Sequence, residues 1–263
     1  MSAVIGKNGK PMRWVAELYT TSASDTRPKE ILVCADANDA VQVAEYIVGE
    51  MKRNPFTEVG RRITEANNYD PAEEAKGWNA LPWYAKIGNM PDFASAAASE
   101  KVAAYKMWKK MVGYGAKWDH KKAIRAMFEP KGTFRRGWQK YGQHDYYFDI
   151  WSNIHYGYVG TAIGFNAAEL IKGAALAQIK QDLTNQIKDW ELPALQNHPE
   201  NGPWPDSADD IPDHISVQLG IDLYADVKPI ALTADILLRK IVAVPLPWGT
   251  NDSKAKRLHR CDQ

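Results

Sequence analysis

Apolar positions recur at helical spacing along most of the chain, and strand-like runs appear only near its start. Residues 13–19 and 29–34 read as two short strands, and the polar stretch 20–28 between them predicts a β-hairpin. Asp36 is suited to cap a helix beginning near Ala37, with Val41, Ala44, Val48 and Met51 on one face and Pro55 at its end. Residues 56–66 predict a second short helix, and residues 67–91, rich in Trp, Pro and Gly, read as a long surface loop. A longer helix is expected over 95–112, turning Ala104, Met107, Trp108 and Met111 inward, with Gly113 and Gly115 stopping it. Asp119 is placed to cap a helical run over 121–128, which Pro130 breaks before a basic, aromatic loop.

Further on, Asn166 and Glu169 have the spacing of a capping box. The helix after them is expected to reach about Lys188, with Leu176, Ile179, Leu183 and Ile187 on one stripe. Pro193, Pro199, Pro203 and Pro205 mark a loop too long for a plain connector and suited to wall a cleft. Pro212 fits the first turn of a helix carrying Asp213, Ile215, Leu219 and Leu223, and residues 230–242 give the last helix. From Trp248 a basic tail with Lys254, Lys256, Arg257 and Arg260 is expected to be mobile. The expected fold is therefore mainly α: a multi-helix domain with a small N-terminal β-hairpin and a Gly- and aromatic-rich turn segment at the active site. Three parts follow: a hairpin or recruitment segment over 1–36, the main domain over 37–245, and a flexible tail over 246–263.

That turn segment, residues 148–160 (FDIWSNIHYGYVG), obeys neither period. It mixes the carboxylate of Asp149, the carboxamide of Asn153, the imidazole of His155 and the aromatics Trp151, Tyr156 and Tyr158 at close quarters, as a reaction site requires. Trp118, Asp119, His120 and Lys121 form a second such group upstream, and Asp213 is a third acid further on.

Composition narrows the class. The 263 residues are 45% hydrophobic and 25% charged, an ordinary globular balance, and no apolar run approaches the roughly 18–20 residues of a membrane span. The N-terminus has no apolar core of a secretory signal, so synthesis in the cytoplasm without a cleavable signal is expected. Cys34 and Cys261 lie far apart, which implies neither a disulfide framework nor a thiolate zinc site. The net charge is only +1, yet residues 101–140 hold twelve basic residues against Asp119 and Glu129. Such asymmetry points to a polyanionic partner.

Three readings of the chemistry stay open. Asp149 and Asp119 could serve as the carboxylate pair of glycosidic cleavage, with aromatics as sugar platforms. In the second, His155 and Lys121 could run acid–base cleavage of RNA, with the basic, aromatic 101–140 segment neutralising phosphates and stacking bases. A non-enzymatic carrier or adaptor, binding a partner through that aromatic and basic face, is the third. No cofactor is required, although Asp149, Asp119 and His155 could also surround a divalent cation.

With these residues in hand, the chain resembles the polymorphic toxin type 44 family of bacterial toxin domains. The likeness rests on Trp118 to Lys121 (WDHK), on Asp149 to Gly160 (DIWSNIHYGYVG), on Gly164 and Phe165 leading into Leu170 to Ala174 (LIKGA) and Gln178, and on Pro212 and Asp213 with Gly220 to Tyr224 (GIDLY). Residues 43–66 look like the start of the same domain, so the likeness spans roughly 40–226; Ala175 stands where the family is expected to show Gly. The resemblance implies an antibacterial effector used in interbacterial competition and passed through a secretion system by a component or chaperone. It also implies a cognate immunity protein. Within that frame the favoured reading is a peptidoglycan hydrolase acting in the periplasm of the target cell, with a cytosolic ribonuclease as the alternative. Asp149, His155, Asp119, His120 and Lys121 are the catalytic candidates. Trp118, Trp151, Asn153, Tyr156, Tyr158 and Asp213 are the substrate-binding ones.

A smaller echo is to phage-type lysozymes, whose Asp-turn-Gly-Tyr-Gly hairpin resembles Asp149 followed by Gly157 and Tyr158, though without a convincing upstream Glu.

Overall fold

Two helices crossing in contact, Asp149–Ala162 and Ile211–Asp226, form the centre on which the other elements are laid. The computed structural model describes residues 4–5, 11–17, 29–33, 36–86, 88–131, 135–189, 195–246, 248–249 and 255–260. In chain order the strands are β1 (Val4–Ile5), β2 (Pro11–Glu17), β3 (Lys29–Val33), β4 (Trp138–Tyr141), β5 (His144–Tyr147) and β6 (Lys256–Leu258). The helices are α1 (Ala40–Arg53), α2 (Glu58–Asn67), α3 (Pro71–Ala80), α4 (Phe93–Val112), α5 (Lys121–Phe128), α6 (Asp149–Ala162), α7 (Ala167–Asp189), α8 (Ile211–Asp226) and α9 (Ala234–Ala243). The protein is mainly helical, as the spacing of apolar positions predicts.

The N-terminal hairpin is present as antiparallel β2 and β3, Arg13 opposite Val33 and Glu17 opposite Lys29, with β1 beside β2; its expected turn lies outside the described residues. α1 buries Val43, Ala44, Ile47, Val48 and Met51 at helical spacing. Asp36 does not cap it; the N-cap is Asp39, whose carboxylate accepts instead from the Lys140 backbone N–H. α8 and α9 begin with Pro212 in the first turn and Thr233 as cap, respectively. Asn166 and Glu169 form the reciprocal pair of a capping box, the Glu169 N–H donating to the Asn166 side chain and the Asn166 N–H to the Glu169 carboxylate.

Four expectations are corrected. Residues 148–160 are not a turn segment but most of α6, and the lysozyme-like hairpin is absent because Asp149, Gly157 and Tyr158 lie on one continuous helix. Its glycines are there for close approach: a Cβ on Gly157 would stand 2.1 Å from the Val217 carbonyl oxygen, and one on Gly160 2.3 Å from the Leu170 side chain. The supposed loop at 67–91 contains α3, whose N-terminal N–H groups on Ala72 and Glu73 are accepted by the Asp70 carboxylate. The stripe expected on α7 fails at its start, since Leu176 is 57% exposed while Leu170 and Ala175 are buried; Ile179 and Leu183 are half-buried, and the Ile187 side chain lies outside those described. Finally, the tail is not mobile where it is described. Trp248 is fully buried, and β6 adds antiparallel to the edge of the β4–β5 hairpin, which itself replaces part of the expected basic loop.

Candidate active site

Helical geometry divides the polar side chains of α6 into two groups. Asp149, Asn153 and Tyr156 recur at spacings of four and three and share one face, while Trp151, His155 and Tyr158 share the opposite one. The first face meets the start of α5 and the start of α8. There the Lys121 ammonium lies 3.6 Å from Asp149 Oδ1, with both side chains about a third exposed at 32% and 30%. Asp213, from the first turn of α8, stands within the field of both Lys121 and Asp149. Asp119 completes the group from the turn before α5. Its Oδ2 accepts from the Gly115 N–H at 2.8 Å, and its Oδ1 accepts from the Lys121 N–H at 3.3 Å and from the Ser152 hydroxyl at 3.4 Å. Three acids from three separate stretches thus stand in the field of one ammonium.

The electrostatics follow from that crowding. Burial raises the Asp149 carboxyl, Asp119 adds to the rise, and Lys121 and Arg125 oppose it. Burial also drives Asp213 up to about 6, with Asp149 and Asp210 raising it further while Lys121 and Asn153 hold it down. For Lys121 burial acts to lower the pKa, but Asp149, Asp213 and Asp119 outweigh it and the ammonium is held more firmly. A carboxyl that keeps its proton towards neutrality beside a fixed cation and a second carboxylate is the equipment of general acid–base catalysis.

Asp209, which pattern reading overlooks, belongs to this group. It is 3% exposed, its Oδ2 has no hydrogen-bond partner, and burial together with Asp213 and Asp210 pushes it up to about 8. The only trace in the sequence is the pair Asp209 and Asp210 ahead of Pro212, which reads equally well as acids at a helix start.

The histidines lie elsewhere. His155 is fully buried, its Nε2 2.9 Å from the Asn54 amide, and its ring stands edge-on to His120 with centroids 4.2 Å apart. His120, 2% exposed, faces the Tyr46 hydroxyl through Nδ1 at 2.9 Å, and its backbone N–H donates to the Ser152 hydroxyl at 3.2 Å. Burial lowers both imidazoles, His155 well below its usual value. Asp149 and His155 therefore do not meet in one opening. The histidine pair is joined to the acidic group through Ser152, whose hydroxyl accepts from the His120 N–H and donates to Asp119.

Of the expected aromatic platforms, Trp118 and Trp151 are buried, Trp118 edge-on to Trp108 and Trp151 donating its indole N–H to Gln139. Tyr158 is buried with its hydroxyl donating to the Val227 carbonyl, and Tyr156, half-buried, donates to that of Leu170. All four are structural in their contacts. Two exposed aromatics are Tyr114, 91% exposed in the turn whose Gly115 N–H bonds Asp119, and Trp204, 58% exposed in the Pro-rich segment five residues before Asp209. His144 and Asp145 lie on β5, where Asp145 bonds His259 rather than the site. Among the described residues no three His, Cys, Asp or Glu side chains are arranged to hold a metal ion, and His155 lies apart from Asp149. A groove of about 690 Å³ lined by Arg62, Glu65, Tyr69, Glu100 and Lys106 holds none of these residues. No described helix is long and apolar enough to cross a membrane.

Comparison with known families matches residues 107–226 to bacterial toxin 44. The match runs from the second half of α4 through α8 and so includes every member of the acidic group, while residues 43–66, expected to open the domain, fall outside it. No curated protein and no solved structure matches the chain.

Proposed function

We propose that the protein, whose residues 107–226 match bacterial toxin 44, is an antibacterial effector that hydrolyses the glycan strand of bacterial peptidoglycan with the carboxyl groups around Lys121. The observation that carries the reading is the ion pair of Asp149 with the partly exposed Lys121 ammonium, in whose field Asp213 and Asp119 also stand. In the proposed reaction Asp213 gives its proton to the oxygen of the leaving sugar as the glycosidic C–O bond breaks. Asp149, beside the Lys121 ammonium, takes a proton from the water whose oxygen forms the new bond to the anomeric carbon. Asn153, on the Asp149 face of α6 with its side-chain nitrogen unpartnered, is assigned to the substrate, and Tyr114 offers an exposed face for a sugar ring. His155 and His120 are assigned a supporting role, holding α6 against α1 and the turn before α5. A ribonuclease built on His155 is disfavoured by the burial of that ring and by the acids that would face a phosphate.

The effector would leave its producer through a secretion apparatus, act in the periplasm of the target and be neutralised by an immunity protein. The test is expression in a bacterium with and without an added export signal, with Asp149→Asn, Asp213→Asn and Lys121→Met alongside. Killing only on export, lost in all three variants while their melting curves stay cooperative, and release of soluble glycan from purified sacculi are expected. Killing confined to the cytosol with RNA degraded would overturn the reading in favour of a nuclease. Toxicity that survives all three substitutions would favour an adaptor.

A further inference from the structure

The surface beside the acidic group carries the opposite charge. α4 ends with Lys109 and Lys110 exposed, the turn after it presents Tyr114 at 91% exposure and then Lys117, and Lys122 of α5 lies over the Tyr114 ring at 5.7 Å. None of these four lysines pairs with a carboxylate among the described residues. The strip abuts the site directly, because the Gly115 N–H in the same turn is bonded to Asp119. Lys121 and Lys122, neighbours in sequence, divide between the two surfaces.

This juxtaposition constrains the ligand. A polymer with a phosphate in every repeat would have to carry negative charge in among Asp119, Asp149 and Asp213. A polymer with a neutral main chain and carboxylates on side branches would not: its backbone enters the acidic site while its branches lie over the lysines. We propose that the strip of Lys109, Lys110, Lys117 and Lys122 binds the peptide-branch carboxylates of wall glycan, so that the protein selects peptide-bearing strands over bare ones. The inference rests on the glycan reading of the site and names the part of that substrate which gives affinity. Exposed charges of this kind act over a Debye length of about 8–10 Å, so the binding should weaken with salt.

The test is co-sedimentation of the intact protein with purified sacculi, either with their peptides or after an amidase has removed them. The protein carrying Lys109→Glu, Lys110→Glu and Lys122→Glu is compared with wild type, and the triple Gln variant serves as the milder change. Because exposed ion pairs are individually weak, triple reversal should weaken binding to intact sacculi by about tenfold, with the Gln variant in between. Stripped sacculi should be held weakly and equally by all three proteins. The proposal is overturned if reversal leaves binding to intact sacculi unchanged, if stripped sacculi are bound as tightly as intact ones, or if an RNA oligonucleotide displaces sacculi at equal charge concentration. Lysine-dependent binding to intact sacculi without release of soluble glycan would support the strip while sinking the hydrolase.

Discussion

Gly157 of α6 and Gly220 of α8 are reciprocal: a Cβ on the first would come 2.1 Å from the Val217 carbonyl oxygen, and one on the second 2.1 Å from that of Ile154. The two helices touch backbone to backbone at this crossing, which fixes where Asp149 and Asp213 stand relative to each other.

Gly157→Ala should therefore loosen the crossing. A methyl group forced against a neighbouring main chain costs about 1–3 kcal/mol or more, which at roughly 2–4 °C per kcal/mol lowers the melting temperature by several degrees. Gly49→Ala in α1 is the control, since nothing lies within 4 Å of its added Cβ. There the gain in helix propensity, about 0.5–1 kcal/mol, should raise the melting temperature slightly. Equal melting of Gly157→Ala and wild type would contradict the close crossing.

The same crossing explains what could be read beforehand. The helices with unbroken apolar spacing, α1, α4, α5 and α8, and the Asn166–Glu169 capping box are legible because their determinants are local. So are Asp119, Lys121, Asp149, Asn153 and Asp213 as polar residues in apolar settings. What escaped depends on distant partners. Glycines at 157 and 160 read as turn signals until Val217 and Leu170 are known to press on them. His155 looks like an accessible base until Asn54, 101 residues earlier, is found to hold it in the core. Residues 256–258 look like loose chain until their pairing with 144–146 is known.

Asp209 gives a prediction in pH. Its carboxyl is raised from the usual 3.8 to about 8, so between those values the folded protein binds more protons than the unfolded one. Stability from this group is present at low pH and is lost as pH rises towards 8. Asp209→Asn should then be more stable than wild type at pH 8.5, on the order of a few kcal/mol, and no more stable near pH 4. Melting temperatures of both proteins across this range check it. A difference that does not vary with pH would mean that Asp209 is not protonated in the fold.

His155 has the opposite sign. Its folded pKa lies well below the usual 6.5, first through burial and then through His120. Below pH 6.5 the unfolded chain takes up a proton that the folded core refuses, so stability is lost as pH falls. His155→Gln, which keeps a polar partner for Asn54 and cannot charge, should flatten the fall in stability between pH 6.5 and 4.5 by up to about 1.4 kcal/mol per pH unit, read from denaturant unfolding at each pH. An acid limb as steep as that of wild type would place the responsible group elsewhere.

The last prediction concerns the C-terminal segment. His259 Nδ1 lies 2.7 Å from Asp145 Oδ1 and its Nε2 3.2 Å from Asp36 Oδ2, all three side chains being at most 5% exposed, and Arg257 adds a contact to Asp145 at 3.2 Å. The ring therefore joins β5 to the residues just ahead of α1 and holds β6 against the sheet. Taking one partner from a buried charged group costs about 3–5 kcal/mol, so His259→Ala should melt at least several degrees lower. It should also be cut by trypsin after Lys256 and Arg257 under conditions that leave wild type whole, because β6 would lose its anchor. If the variant melts with wild type and its C-terminus is cleaved no faster, the segment contributes nothing to the fold, and the bridge between Asp36 and Asp145 is incidental to stability.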